Sequence, residues 1–236
     1  MKYKDRTIKA VFFDMGNTLL DFHQGISDSN KDWMGAEAIA KYLSFISNQQ
    51  ISQDIVWEGF VEKWLSVMPQ RSKRVDEFNP YDFLSSFLEN KELTLTKEKS
   101  LEILKLCDVG YKNHLVVLPG AKEVLIYFKE LGVKIGVISN SPQVDEVNID
   151  HFKSTGLDDY IDKYIFSHGA KCRKPSFEIF QLAVDKFNVK SNECLMIGDG
   201  LENDIHPAKK IGMEAIHVGK KSEMKSLEQL LGVFNE

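Results

Sequence analysis

Four short stretches of this sequence close on chemically competent side chains. They are Asp14, the pair Ser139-Asn140, Lys174 within Lys171-Cys172-Arg173-Lys174-Pro175, and Asp199, which lies between two glycines with Asn203-Asp204 one turn later. Carboxylate oxygens are nucleophiles for covalent catalysis and hard ligands for a divalent cation. A lysine neutralises a transferring anion. A hydroxyl and a strand-end N–H donate to anionic oxygens. Each stretch also has an ordinary reading. Asp14 alone is a solubilising strand end, Ser139-Asn140 a turn, Asp204 a charge near a helix start, and Lys171 and Arg173 are solvated basic residues. Their joint meaning depends on whether one rim collects them.

The patterning predicts such a rim. Ile8 to Asp14 is a short apolar run of β-branched and aromatic residues that ends at the carboxylate, a buried strand followed by the turn residues Gly16, Asn17 and Thr18. Val133–Ile138, Tyr164–Phe166, Cys194–Ile197 and Ala215–Val218 read as further strands. Helices are predicted between them, over 121–130 closed by Gly132, 144–154, 177–187 and 203–211, with a last helix ending near Leu231. Apolar strands alternating with helices imply a parallel sheet covered on both faces. Ligands then bind beyond the carboxyl ends of the strands, where all four stretches fall.

Residues 22–114 read differently, as helix throughout. Ser27-Asp28-Ser29-Asn30 offers cap residues for one helix, Ser52 and Asp54 for a second, and Pro80 follows Asn79 at the start of a third. Ile39, Leu43 and Ile46 share one face, as do Val56, Phe60 and Trp64, and Leu101, Leu104 and Tyr111 suggest a fourth helix. The expected organisation is an α/β core of residues 1–21 and 115–236 with an all-helical cap, 22–114, inserted after the first strand.

The chain has 236 residues, 43% hydrophobic and 28% charged, with a net charge of −5. That is globular composition. It supplies no global field for nucleic acid or anionic membrane, and no basic stripe with interleaved aromatics is present. The most apolar N-terminal stretch is interrupted by Lys9 and Asp14 and is shorter than the ~18 residues of a spanning helix. Three cysteines without zinc spacing fit a reducing compartment, and a cytoplasmic location is expected.

The motifs Phe-Phe-Asp14-Met-Gly-Asn-Thr18, Gly-Val-Ile-Ser139-Asn140, Arg173-Lys174-Pro175 and Ile-Gly-Asp199-Gly-Leu-Glu-Asn203-Asp204 occur in an order that resembles the haloacid dehalogenase (HAD) superfamily of phosphohydrolases, subfamily I with a helical C1 cap. The resemblance implies a Rossmann-like core and Mg²⁺-dependent hydrolysis of a small phosphorylated metabolite through an aspartyl-phosphate. It assigns Asp14 as nucleophile and Lys174 as the neutralising cation. Ser139, the Asn140 N–H and Lys174 hold the phosphoryl oxygens. Asp14, the Gly16 carbonyl and Asp199 bind the metal, and Asp204, Asn203 and Thr18 support them from behind.

Gly16 departs from the pattern. Most phosphatases of this type carry an aspartate there, which protonates the leaving oxygen and then activates water. Asp21 and His23 are the nearest replacements in sequence. The alternatives to a phosphatase are a non-catalytic phosphate- or protein-binding module, a haloacid dehalogenase, against which the acidic pair Asp199 and Asp204 counts, and a phosphonate hydrolase. The last needs a buried cap lysine, and nothing marks Lys31, Lys41 or Lys63 as buried. A phosphomutase would need the missing aspartate. His114 and His151 read as peripheral, His217 as packed, and the cluster Arg71, Lys73 and Arg74 as a solvated loop, or else as a contact to a second anionic group on the substrate.

Overall fold

The computed structural model describes residues 1–220 and 222–234. Its centre is a five-stranded sheet in the order β7-β6-β3-β8-β9: Lys163–Phe166 (β7), Lys134–Ser139 (β6), Ala10–Phe13 (β3), Cys194–Gly198 (β8) and Glu214–His217 (β9). All neighbours are parallel, with Phe13 beside both Val137 and Ile197. Asp14, one residue past the central strand, therefore emerges between the ends of β6 and β8.

Alternation along β3 splits its side chains between two cores. Val11 and Phe13 pack with Val124, Phe128 and Leu230 on one face. Ala10 and Phe12 pack with Ile179, Phe180 and Phe187 on the other. Helices Ala121–Glu130 and Leu227–Phe234 thus cover one side and Phe177–Phe187 the other, which leaves every residue of β3 buried. The expected α/β sheet with helices on both faces is the observed one.

Residues 28–113 build helices around a separate apolar cluster that includes Ile39, Leu43, Val56, Phe60, Phe87 and Leu104. Ser27, Ser52, Asn79 and Thr96 accept the helix-capping bonds. Val147, from helix Asp145–Thr155, and Val144 at its N-cap join this cluster. Leu20–Asp21 (β4) pairs antiparallel with Val116–Val117 (β5), so the chain leaves and returns side by side. A hairpin of Lys2–Tyr3 (β1) and Arg6–Thr7 (β2) precedes the sheet. Neither two-residue ladder is long enough to leave a pattern in the sequence.

Two helices differ from expectation. The fourth insertion helix breaks into Lys97–Cys107 and Val109–Asn113. Gly110 lies against the Lys31 backbone, where a Cβ would come within 2.3 Å of the Lys31 carbonyl oxygen, and Asp108 bonds away to His151. The helix expected from Asn203 starts instead at Leu201 with a wide π-turn. There the Gly200 carbonyl accepts from both Asp204 and Ile205.

Candidate active site

Asp14 is buried at the end of β3. Lys174, equally buried, reaches it across 160 residues of sequence. Lys174 Nζ donates to Asp14 Oδ1 at 2.6 Å, to Asp204 Oδ1 at 2.6 Å and to the Ile138 carbonyl at 2.8 Å. Those three bonds use every proton of the ammonium. Burial by itself would push Lys174 down. The two carboxylates outweigh it, and the group is held above its ordinary value. The cation is therefore retained throughout the physiological range.

Asp204 is committed on both sides, since its Oδ2 accepts the Gly200 N–H at 2.9 Å. Asp14 Oδ2 has the Thr18 hydroxyl at 3.5 Å. Asp199 follows β8, and its carbonyl meets His217 Nε2 at 2.9 Å, so His217 is a packed, satisfied strand residue as expected. Carboxylate oxygens of Asp14, Asp199 and Asp204 lie within 4.8 Å of one another. Three carboxylates against one ammonium leave two negative charges in excess. Burial raises Asp14 and Asp199, and the neighbouring carboxylates push them further up. This oxygen-only, charge-excess donor set fits a hard divalent cation such as Mg²⁺.

Ser139 closes β6 and is buried at the same cavity wall. Asn140 has a role that the sequence did not reveal. Its side-chain amide donates to the Lys174 carbonyl and its Oδ1 accepts the Lys174 N–H, both at 2.8 Å. It braces the loop that aims the lysine. Ser139, Asn140, Gly16, Asn203, Asp199, Asp204, Lys174 and Asp14 all line one cavity of about 470 Å³, so the strand-end stretches do converge. Thr18 stands behind Asp14 and lines a second cavity with Asn17, Asp21 and Asp199.

The far wall of the main cavity comes from residues 22–111 and from His151, and it corrects several expectations. His151 is buried, not peripheral. Its Nε2 bonds Asp108, its ring lies 5.1 Å from Phe22, and its Nδ1 has no partner. Lys31 is completely buried, its Nζ donating to the Phe22 carbonyl at 2.5 Å beside Asp28 and Tyr111. Those bonds draw it to backbone and carboxylate, and it does not line the cavity. Arg71 lines the cavity and is not a free loop residue, and Arg173 is half-buried against Glu77. Trp64, on the shared face with Val56 and Phe60, is buried, while Trp33 is substantially exposed. Of the two proposed substitutes for an aspartate at 16, His23 lines the cavity. Asp21 does not, because its carboxylate is turned to the His23 N–H and Gln24.

Asp32, on the same wall, is pushed up to about 6 by burial, against the opposing hydrogen bond from Tyr111. Its ionisation therefore straddles mildly acidic pH.

The parallel α/β sheet thus gathers three aspartates and a lysine at its strand ends, facing one cavity. A family model described as a hydrolase, haloacid dehalogenase-like hydrolase, matches residues 8–212, and the chain belongs to that family. Over 89% of this chain it is 36% identical to a glyceraldehyde 3-phosphate phosphatase from Pyrococcus abyssi, covering 80% of that protein. Over 93% of its length it is 29% identical to a ribulose-1,5-bisphosphate 5-phosphatase from Halopiger xanaduensis, covering 88% of that one. The fold superposes on a HAD phosphatase structure from Thermococcus onnurineus with a TM-score of 0.58 and 24% identity, over 96% of this chain and 98% of that one. Among the described residues, no helix is long and apolar enough to cross a membrane.

Proposed function

We propose that the protein hydrolyses phosphate monoesters of small metabolites through an aspartyl-phosphate on Asp14, with Mg²⁺ as cofactor. The observation that carries this reading is the three-way bond of Lys174 to Asp14, Asp204 and the Ile138 carbonyl, with the Asp199 carboxylate clustered beside them. It fixes one Asp14 oxygen and leaves a concentrated negative site that only a cation can balance. Phosphatase relatives spanning most of the chain support it.

In this reading an Asp14 oxygen attacks phosphorus and the ester P–O bond breaks toward the leaving oxygen, which takes up a proton. Water then attacks the acyl phosphate, releasing inorganic phosphate and regenerating the carboxylate. Ser139 and the Asn140 N–H hold phosphoryl oxygens, and Lys174 balances their charge. Mg²⁺, held by Asp14, the Gly16 carbonyl and Asp199, would neutralise charge so that two anions can approach. The second wall, residues 22–114, acts as a cap that limits substrate size, and the protein works in the cytoplasm.

Inorganic phosphate release from a panel of sugar phosphates, phosphoglycolate and p-nitrophenyl phosphate, with and without Mg²⁺, tests the assignment. Turnover that EDTA abolishes and Mg²⁺ restores is expected. Bound Mg²⁺ with no turnover of any ester would support a binding module instead.

The position of Gly16 permits a direct test of the missing acid. Nothing lies within 4 Å of where a Gly16 Cβ would stand, and the residue lines the open cavity, so a side chain can start here without a clash at Cβ. Gly16→Asp is expected to raise kcat on alkyl phosphates by about 10-fold or more, and far less on p-nitrophenyl phosphate, whose leaving group needs no proton. Equal rates for both proteins on alkyl esters would show that another group, with His23 the first to test, already supplies the proton.

A further inference from the structure

We propose that Arg71 selects substrates that carry a second anionic group, a carboxylate or a distal phosphate, away from the scissile phosphoryl. The proposal rests on the phosphatase reading above and names the substrate class of that site.

Arg71 belongs to the 3₁₀ turn Met68–Lys73 and lines the same cavity as Asp14. Its guanidinium is built in. Nε and Nη2 donate to the two oxygens of Glu77 at 2.7 and 2.9 Å, a bidentate pairing that fixes the plane of the fork. Among the described residues no protein acceptor meets Nη1.

Glu77 does not cancel this charge. Its side chain is 1% exposed, and it is shared with Arg173, whose Nε lies 2.9 Å from Oε1. Arg71 and Arg173 share this one buried carboxylate, with Asp76 acting on Arg173 as well. Ser167 Oγ donates to the same Oε1 at 2.6 Å.

This arrangement is also registered to the chemistry. Arg173 immediately precedes Lys174, its N–H bonds the Val75 carbonyl at 3.0 Å, and its guanidinium bonds the Arg71 carbonyl. Ser167 Oγ in turn accepts the Ser141 N–H at 2.9 Å, beyond the Ser139-Asn140 loop. Arg71 therefore sits at a fixed distance from the phosphoryl subsite and does not swing on a free loop.

The cavity wall also carries Asp14, Asp32, Asp108, Asp199 and Asp204, so a second anion is tolerated only beside a cation. Arg71 and Lys174 are the only lysine or arginine side chains on the cavity wall among the described residues. Lys174 has no proton left to offer. Val61, Trp64, Leu65 and Met68 line the same cavity, and none of them offers a hydrogen-bond acceptor for a guanidinium. A neutral substrate leaves Nη1 without an acceptor while Glu77 holds Nε and Nη2, whereas an anion completes the set.

The test compares matched esters with wild type, Arg71→Met and Arg71→Lys. The pairs are 3-phosphoglycerate against glycerol 3-phosphate, for the carboxylate, and ribulose 1,5-bisphosphate against ribulose 5-phosphate, for the second phosphate. Wild type is expected to favour the doubly anionic member of at least one pair in kcat/KM. Arg71→Met should collapse that ratio by about 10–100-fold, mainly through KM, while Arg71→Lys retains most of it. The pair that responds identifies the anion. If Arg71→Met does not fold, Arg71→Gln takes its place in the same ratio. Wild-type turnover with no anion preference, or a preference unchanged in the uncharged variant, overturns the proposal. Absence of turnover on every ester counts against the phosphatase reading itself.

Discussion

Lys174→Met is expected to lower kcat for phosphate release by about 10²–10³-fold, the scale of removing a preorganised charge from a transition state. The same change should destabilise the fold by about 3–5 kcal/mol, because it strips the shared partner from two buried carboxylates. Methionine nearly fills the volume of the lysine stem, so the loss is electrostatic and leaves little cavity. The pH dependence separates this from a packing defect. Without the ammonium, Asp14, already held up by burial, loses the one charge that opposes that rise, so the folded state binds protons more readily than the unfolded chain. The variant should therefore recover stability relative to wild type as pH falls, with the deficit largest above neutrality. Thermal melts at pH 5 and pH 8 check it. A deficit that does not change with pH would mean the lysine acts only as a spacer.

Asp14→Asn should have the largest catalytic effect, a loss of about 10³-fold or more. The substitution keeps the shape and removes the nucleophile. Lys174 loses one of its three acceptors as a charge but keeps Asp204 and the Ile138 carbonyl, so the folded state is retained and Tm changes by about 2–4 °C, the equivalent of about 1 kcal/mol in a chain of this length. A large rate loss with a small stability change assigns Asp14 to the chemistry. Mg²⁺ affinity should weaken in the same variant, since one anionic oxygen of the donor set is gone.

Much of the fold is legible from the chain because its strands are buried on both faces. Ala10–Phe13 and Cys194–Ile197 are continuous apolar runs, and each is followed by a polar break that carries a candidate site residue. Strand-end logic therefore brings Asp14, Ser139, Lys174 and Asp199 together before any coordinates are known. The helix over 177–187 and its Ser176 cap are equally local signals. What escaped was pairing between distant polar residues. Glu77 reads as one more acidic loop residue, yet it meets Ser167, which lies 90 positions away. Asp108 and His151 are separated by 43 positions, and Lys31 sits at a helix position that periodicity leaves undecided. Periodicity reports which face a side chain shares, and it carries no information about the partner that makes a buried charge tolerable. The break at Asp108 was hidden for the same reason, since Leu101, Leu104 and Tyr111 keep a helical spacing across it.

The most direct measurement is covalent trapping. Enzyme, Mg²⁺ and a substrate labelled with ³²P at the ester phosphate are mixed, quenched in acid within one turnover, digested and mapped. The account expects acid-stable, base-labile label on the peptide that contains Asp14, absent from Asp14→Asn. Rapid phosphate release with no label on that peptide, or an undiminished rate in Asp14→Asn, would contradict it.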